Sequence, residues 1–174
     1  MPITADILRR FPNTTFVETG TFKCEGVRAA LDAGFARVVT IEIAPELHAA
    51  AQRRFIGEPR VTALCGSSAD LLQPLVNSLT APATFFLDAH GYAGDGSGGH
   101  PSPLLAELDA IARGGCQAHT ILIDDFQVFG RAFRSNVTEE QVRARLHAIN
   151  PHYLLVRMDN PHLPWDILGA LPWT

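Results

Sequence analysis

Residues 16–26 read "FVETGTFKCEG". An apolar run ends in an acid, Glu18. Gly20 follows, then a short polar loop, then Gly26. The next residues, "EGVRAALDA" (25–33), carry Val27, Ala30 and Leu31 at helical spacing, and Gly34 stops the run. The stretch therefore predicts a strand that hands over to a helix around a small ligand.

The same handover recurs along the chain. Strands are predicted at "TTFVE" (14–18), "RVVTIE" (37–42), "VTALC" (61–65), "ATFFLD" (83–88) and "TILID" (120–124). Helices follow at "APELHAAAQRRF" (44–55), "SADLLQPLVNSL" (68–79), "SPLLAELDAIAR" (102–113) and "EEQVRARLHAI" (139–149). Pro45 suits the first turn of its helix, and Thr138 to Gln141 form a capping box. Several of the strands are near-continuous apolar runs, as expected when both faces of a sheet are covered. Alternation of this kind predicts an α/β fold with a doubly wound, mostly parallel sheet. "HYLLVRM" (152–158) and "WDILGAL" (165–171) bring it to seven strands. They lie too close together for a helical crossover, so they should form an antiparallel hairpin at the C-terminal edge.

Length and composition narrow the function classes. The 174 residues suit a single domain, 1–174, with 47% hydrophobic and 18% charged residues. The net charge of −4 and the single lysine, Lys23, argue against a nucleic-acid surface. No apolar run approaches the roughly 20 residues of a membrane span. Cys24, Cys65 and Cys116 are widely spaced, which fits reduced thiols in a cytoplasmic protein. The Gly-rich "GYAGDGSGGHPSP" (91–103) reads as a long flexible loop, placed to act as a lid.

Ligands of doubly wound sheets bind at the carboxyl ends of the strands. Four of the five predicted parallel strands end in acids: Glu18, Glu42, Asp88 and the pair Asp124–Asp125. The third ends in Gly66-Ser67-Ser68. Such a rim is costly unless cations or hydrogen-bond donors compensate it. An acid at the end of the second strand, a little over 20 residues past the first loop, suits ribose hydroxyls. A dinucleotide loop would read G-x-G-x-x-G so that a pyrophosphate can approach. The close-approach glycines are missing here, and Glu18 and Glu25 flank the loop. A cationic nucleoside suits it better than a phosphate.

These residues resemble class I S-adenosylmethionine-dependent methyltransferases, in the branch of macrocin-type O-methyltransferases and cephalosporin-hydroxylase-like proteins. "FVETGTFKCEGV" is similar to their E-x-G-x-x-x-G-x-S motif. "TIEIAPE" (40–46) is similar to their ribose-binding motif, "FFLDAHG" (85–91) to their D-x-H segment, and "TILIDDF" (120–126) to their acid-ended fifth strand. The likeness runs from about residue 15 to 130. It implies a Rossmann-like methyltransferase fold and a cofactor site of Glu18, Thr19, Gly20, Thr21, Glu42, Ile43, Gly66, Ser67, Ser68 and Asp88. Glu18 and Gly20 would lie by the methionine moiety, Glu42 by the ribose, and Ser67 or Ser68 by the adenine. It also implies a divalent metal, usually magnesium, on Asp88, Asp124 and Asp125. Hard oxygen ligands suit Mg²⁺ or Ca²⁺.

His90 is the natural general base, and Asp88 stands beside it. Two departures stand out: Cys24 occupies the place of the family's second glycine, and Gly26 that of its serine. Two functions are carried forward. One is methyl transfer to a small-molecule acceptor, preferably at oxygen and with metal assistance. The other is a binding module that holds S-adenosylmethionine or S-adenosylhomocysteine (SAH) without turnover. A nicotinamide-dependent oxidoreductase is disfavoured by the opening loop. The edge hairpin, with Trp165 and Trp173 nearby, offers a surface for a homodimer.

Overall fold

A computed structural model describes residues 3–89, 101–129, 137–160, 162, 164 and 166–173. The elements run α1 (Ala5–Leu8), β1 (Thr15–Thr19), α2 (Glu25–Ala33), β2 (Arg37–Glu42), α3 (Pro45–Arg54), β3 (Val61–Cys65) and α4 (Ser68–Asn77). They continue with β4 (Ala83–Leu87), α5 (Leu104–Arg113), β5 (Thr120–Ile123), a 3₁₀ turn (Phe126–Val128), α6 (Glu139–Ile149), β6 (Leu154–Met158) and β7 (Ile167–Leu171). The seven strands lie in the order β3-β2-β1-β4-β5-β7-β6. β1 to β5 are parallel, and β7 runs antiparallel to both β5 and β6. The C-terminal hairpin is at the edge, as expected, but its second strand lies inside its first. Among the described residues, no helix is long and apolar enough to cross a membrane.

The period of two along each strand sorts the side chains into two cores. Val17, Val39, Ile41, Phe85, Ile121 and Ile123 pack with residues of α4, α5 and α6. Phe16, Val38, Phe86 and Leu122 pack with residues of α1, α2 and α3. Glu18 and Thr40 share register across β1 and β2, on the α2 side of the sheet. Burial of these runs supplies the main drive to fold, since each fully buried large apolar side chain contributes about 1.5–3 kcal/mol.

Local chemistry sets the element ends. Thr138 and Gln141 close a reciprocal capping box at the start of α6. Gly34 ends α2 with φ 96°. The short α1 has no sequence expectation behind it. Thr4 caps it by accepting from the Ile7 N–H, and its four residues are too few to show a helical period. Strand order reverses between β1 and β4, which opens a crevice at their carboxyl ends.

Candidate active site at the carboxyl ends of the strands

The crevice is built by the loop from Gly20 to Cys24. Gly20 has φ 83°, and its N–H donates to the Ile41 carbonyl at 2.9 Å. A Cβ there would lie 2.5 Å from the Asp88 carbonyl oxygen and 3.0 Å from its carbon. The β1 and β4 backbones thus close to a distance that only glycine allows. Phe22 (φ 44°) and Cys24 (φ 65°) also take left-handed conformations. For a non-glycine residue this costs roughly 1–2 kcal/mol. Cys24 stands where the family pattern has glycine, and its backbone keeps the conformation a glycine would adopt. Its thiol is buried in the core with α2, and burial pushes its pKa up.

Glu18 is buried beneath the first turn of α2. The Thr40 hydroxyl donates to its Oε2 at 2.8 Å, and Thr21 Oγ1 lies 2.6 Å from Thr40 Oγ1. A Cβ on Gly26 would fall 1.8 Å from Glu18 Oε1. The absence of the family's serine side chain at Gly26 is therefore what leaves room for this carboxyl. Burial, opposed by the Thr40 hydrogen bond and reinforced by the charge of Glu42, pushes the Glu18 pKa up to about 8. The sequence places Glu18 with the other acids on a rim; the structure tucks it into the helical layer instead.

Glu42 ties the loop to the next strand–helix turn. Phe22 N–H donates to its Oε2 at 2.8 Å, and Ala44 N–H to its Oε1 at 3.0 Å. It is buried, yet each carboxylate oxygen can accept a further donor. Phe22 and Ile43 are exposed at 51% and 45%, which places two apolar side chains at the surface beside it. The β2 and β3 ends are joined by Gly66 N–H, which donates to the Glu42 carbonyl at 2.8 Å. Gly66 itself has φ 145°. Ser67 is the N-cap of α4 without a side-chain cap bond, whereas Ser68 is buried. Of the pair, Ser67 is the better placed to meet a ligand.

On the other side of Gly20 the rim continues through acids. Asp88 N–H donates to the Thr19 carbonyl at 3.2 Å, and Asp124 N–H to the Leu87 carbonyl at 3.2 Å. One oxygen each of Asp124, Asp125 and Asp166 lies within 4.8 Å of the others. Asp166 is 1% exposed and accepts from Gln127 N–H at Oδ1 and from Asn160 Nδ2 at Oδ2. This all-oxygen set fits a hard divalent cation. Asp88, expected as the third ligand, is outside this group and belongs to the Thr19 corner. His90 and residues 91–100 of the Gly-rich loop lie outside the described residues.

Sequence reasoning missed Thr40 and Asp166. Thr40 is legible in retrospect, since it is one step of two residues before Glu42 on the same strand face. Asp166 is not, because nothing local says that β7 enters between β5 and β6. That insertion pairs Ile123 with Leu168 and so brings Asp166 to Asp125.

No protein-family model matches the chain, and no curated protein matches it significantly. Solved structures do resemble it. TomG, an O-methyltransferase from Streptomyces achromogenes involved in tomaymycin synthesis and solved with SAM, superposes with TM-score 0.67 at 17% identity, over 98% of this chain and 78% of that one. SAH-bound methyltransferase PaMTH1 from Podospora anserina gives 0.63 at 16%, over 98% and 76%. CalS10, a SAM-bound amino pentose methyltransferase from Micromonospora echinaspora, gives 0.64 at 12%, over 95% and 87%. The likeness is one of fold, and the fold is the Rossmann-like one implied by the sequence resemblance.

Proposed function

We propose that the chain is an S-adenosylmethionine-dependent methyltransferase that modifies a hydroxyl of a small molecule. The observation that carries this is the composition of the switch-point crevice. Its loop lacks the close-approach glycines of a pyrophosphate cradle, and the Glu42 carboxylate, held by the Phe22 and Ala44 N–H groups, stands beside it with lone pairs free to meet ribose hydroxyls. A nucleoside without phosphate, such as S-adenosylmethionine, matches such a crevice; a pyrophosphate would meet the Glu42 carboxylate. The structural neighbours with bound SAM or SAH support the same cofactor.

In this reading the ribose hydroxyls donate to Glu42, and Gly20 lets the cofactor's methionine end come close to the backbone. The base is held near Ile43, Gly66 and Ser67, while Thr19, Thr21, Ser68 and Asp88 complete the lining. Methyl transfer forms a carbon–oxygen bond as the sulfur–carbon bond breaks, and the acceptor's proton leaves to a base. His90 is proposed for that role, with Asp88 next to it. Positioning supplies most of the rate enhancement in a direct displacement of this kind. Asp124, Asp125 and Asp166 would hold Mg²⁺, which would lower the pKa of the acceptor hydroxyl. The free cysteines fit a cytoplasmic setting.

Calorimetric titration with SAH tests the cofactor, with and without Mg²⁺. Transfer of a labelled methyl group across a panel of hydroxyl acceptors tests the reaction. Saturable SAH binding together with oxygen-linked label is expected. Binding with no transfer to any acceptor would favour the non-catalytic module, and preference for NAD would overturn both. Within the site, Glu42→Ala should weaken SAH binding about 30-fold, or about 2 kcal/mol, for the loss of charge-assisted ribose bonds. An unchanged affinity would remove Glu42 from the ribose site.

A further inference from the structure

His119 stands at the amino end of β5, at the far end of the sheet from the crevice, and the proposed reaction does not use it. The residue is 1% exposed. Its Nδ1 accepts the Ala83 N–H at 3.0 Å. Ala83 opens β4, and the β4–β5 ladder begins one step later, with Thr84 opposite Thr120. An imidazole nitrogen thus takes the place of a ladder carbonyl where two central strands begin. Other elements fasten to the same spot. Tyr153, just before β6, donates its hydroxyl to the His119 carbonyl at 2.8 Å. Asn150, the C-cap of α6, donates from Nδ2 to the Gln117 carbonyl at 2.8 Å.

The Ala83 bond fixes the protonation of the ring by geometry. A backbone N–H can only donate, so Nδ1 carries no hydrogen and the neutral ring holds its proton on Nε2. A second proton can go only to Nδ1. There it would set two donors against each other and put a charge into the core. The ring has little room to turn away, since Phe85 packs edge to face against it with 4.9 Å between centroids.

Nothing nearby compensates such a charge. The titratable neighbours are the Cys116 thiol, before β5, and the Tyr153 phenol, whose pKa burial pushes up. His119 shares its face of the sheet with α4, α5 and α6, which run from the carboxyl to the amino ends of the strands. Their acids Asp70, Glu107, Glu139 and Glu140 sit in first turns, at the other end. Closer to the amino end, Asp109 pairs with Arg145, Arg113 donates to Gln73, and His147 and His152 are exposed. Burial holds the His119 pKa below its ordinary 6.5.

We infer that His119 is an acid-operated latch: a proton on Nδ1 frees the Ala83 N–H and opens the amino end of the β4–β5 pair. The folded chain resists that proton and the unfolded chain accepts it. The stability supplied by the latch is therefore complete above about 6.5 and is lost as the pH falls below it. This is opposite in sign to the effect of a buried acid such as Glu18, and it needs no ligand in the crevice.

Urea unfolding of the full chain from about pH 7.5 to about pH 5, beside His119→Asn, reads the latch. Asparagine offers an oxygen where Nδ1 stood and does not titrate. The ratio of wild-type to variant unfolding constants should grow by up to about tenfold per pH unit below about 6.5, reaching up to about 30-fold at about pH 5. Glu18 and the other titrating groups are common to both chains and cancel in the ratio. NMR of the wild type supplies local readouts that need no variant. At neutral pH the ring should show a bare Nδ1 and a protonated Nε2. On acidification the Ala83 amide should lose exchange protection before the Phe85 amide of the same strand. A hydrogen on Nδ1 at neutral pH, a ratio that does not change with pH, or an Ala83 amide that loses protection no earlier than that of Phe85 would each overturn the latch.

Discussion

Replacing Glu18 by glutamine should abolish a loss of stability that the wild-type chain shows as pH rises from about 5 to about 8. Burial raises the Glu18 carboxyl from its ordinary value of 4.5 to about 8 in the folded protein. Between those values the native state holds a proton that the unfolded chain has released. Stability falls with rising pH wherever the native state binds more protons. The contribution is therefore fully present below about pH 4.5 and is lost as the pH rises through about 8, with a limiting size of roughly 4–5 kcal/mol. Glutamine has the shape of the protonated acid and does not titrate, so its chain should be the more stable one at pH 8. Urea unfolding of both proteins at several pH values reads the difference. Parallel stability profiles would mean that Glu18 is ionised in the native state. In that case the geometry under α2 would need another source of charge compensation.

Glu18 also marks where local sequence signals stop. The strand ends, the Gly20 turn and the capping box at Thr138 are local, and each follows from spacing alone. Grouping the acids on one rim because each ends a parallel strand is correct for the backbone. Direction along a strand does not settle which face a terminal side chain takes. Phe16 and Glu18 share a face by the period of two, so the same rule that buries Phe16 carries Glu18 into the layer of α2. What keeps the carboxyl there is non-local: Thr40 from a neighbouring strand and the missing side chain at Gly26. Asp166 is non-local in a stronger sense. Its place beside Asp125 depends on the order of strands at the far edge, which no short motif encodes. Cys24 is the opposite case, since the family pattern identifies a glycine position and the backbone has kept that conformation despite the substitution.

Gly20→Ala is expected to have the second large effect, on stability and on ligand capture together. Two costs combine at this position. The residue has φ 83°, where a side chain is strained by roughly 1–2 kcal/mol. A Cβ would also stand 2.5 Å from the Asp88 carbonyl oxygen, and this neighbour is backbone that cannot swing aside. Relief requires β1 and β4 to separate at the crevice, and overpacking of this kind costs roughly 1–3 kcal/mol. Together these predict a loss of about 3 kcal/mol, or a fall in Tm of roughly 6–12 °C for a chain of this size. Gly34→Ala supplies the control. That glycine has φ 96°, but a Cβ there would meet no heavy atom within 4 Å, so it carries the strain without the clash. Its loss should be close to about 1 kcal/mol, with SAH affinity unchanged. The difference between the two variants isolates the close approach of β1 and β4. SAH affinity should fall about 100-fold or more in Gly20→Ala alone, because the displaced backbone would occupy the ligand's place. Equal Tm shifts for the two glycines would show that the strands tolerate separation and that the crevice is not set by Gly20. Equal SAH affinities would show instead that the ligand does not bind against this loop.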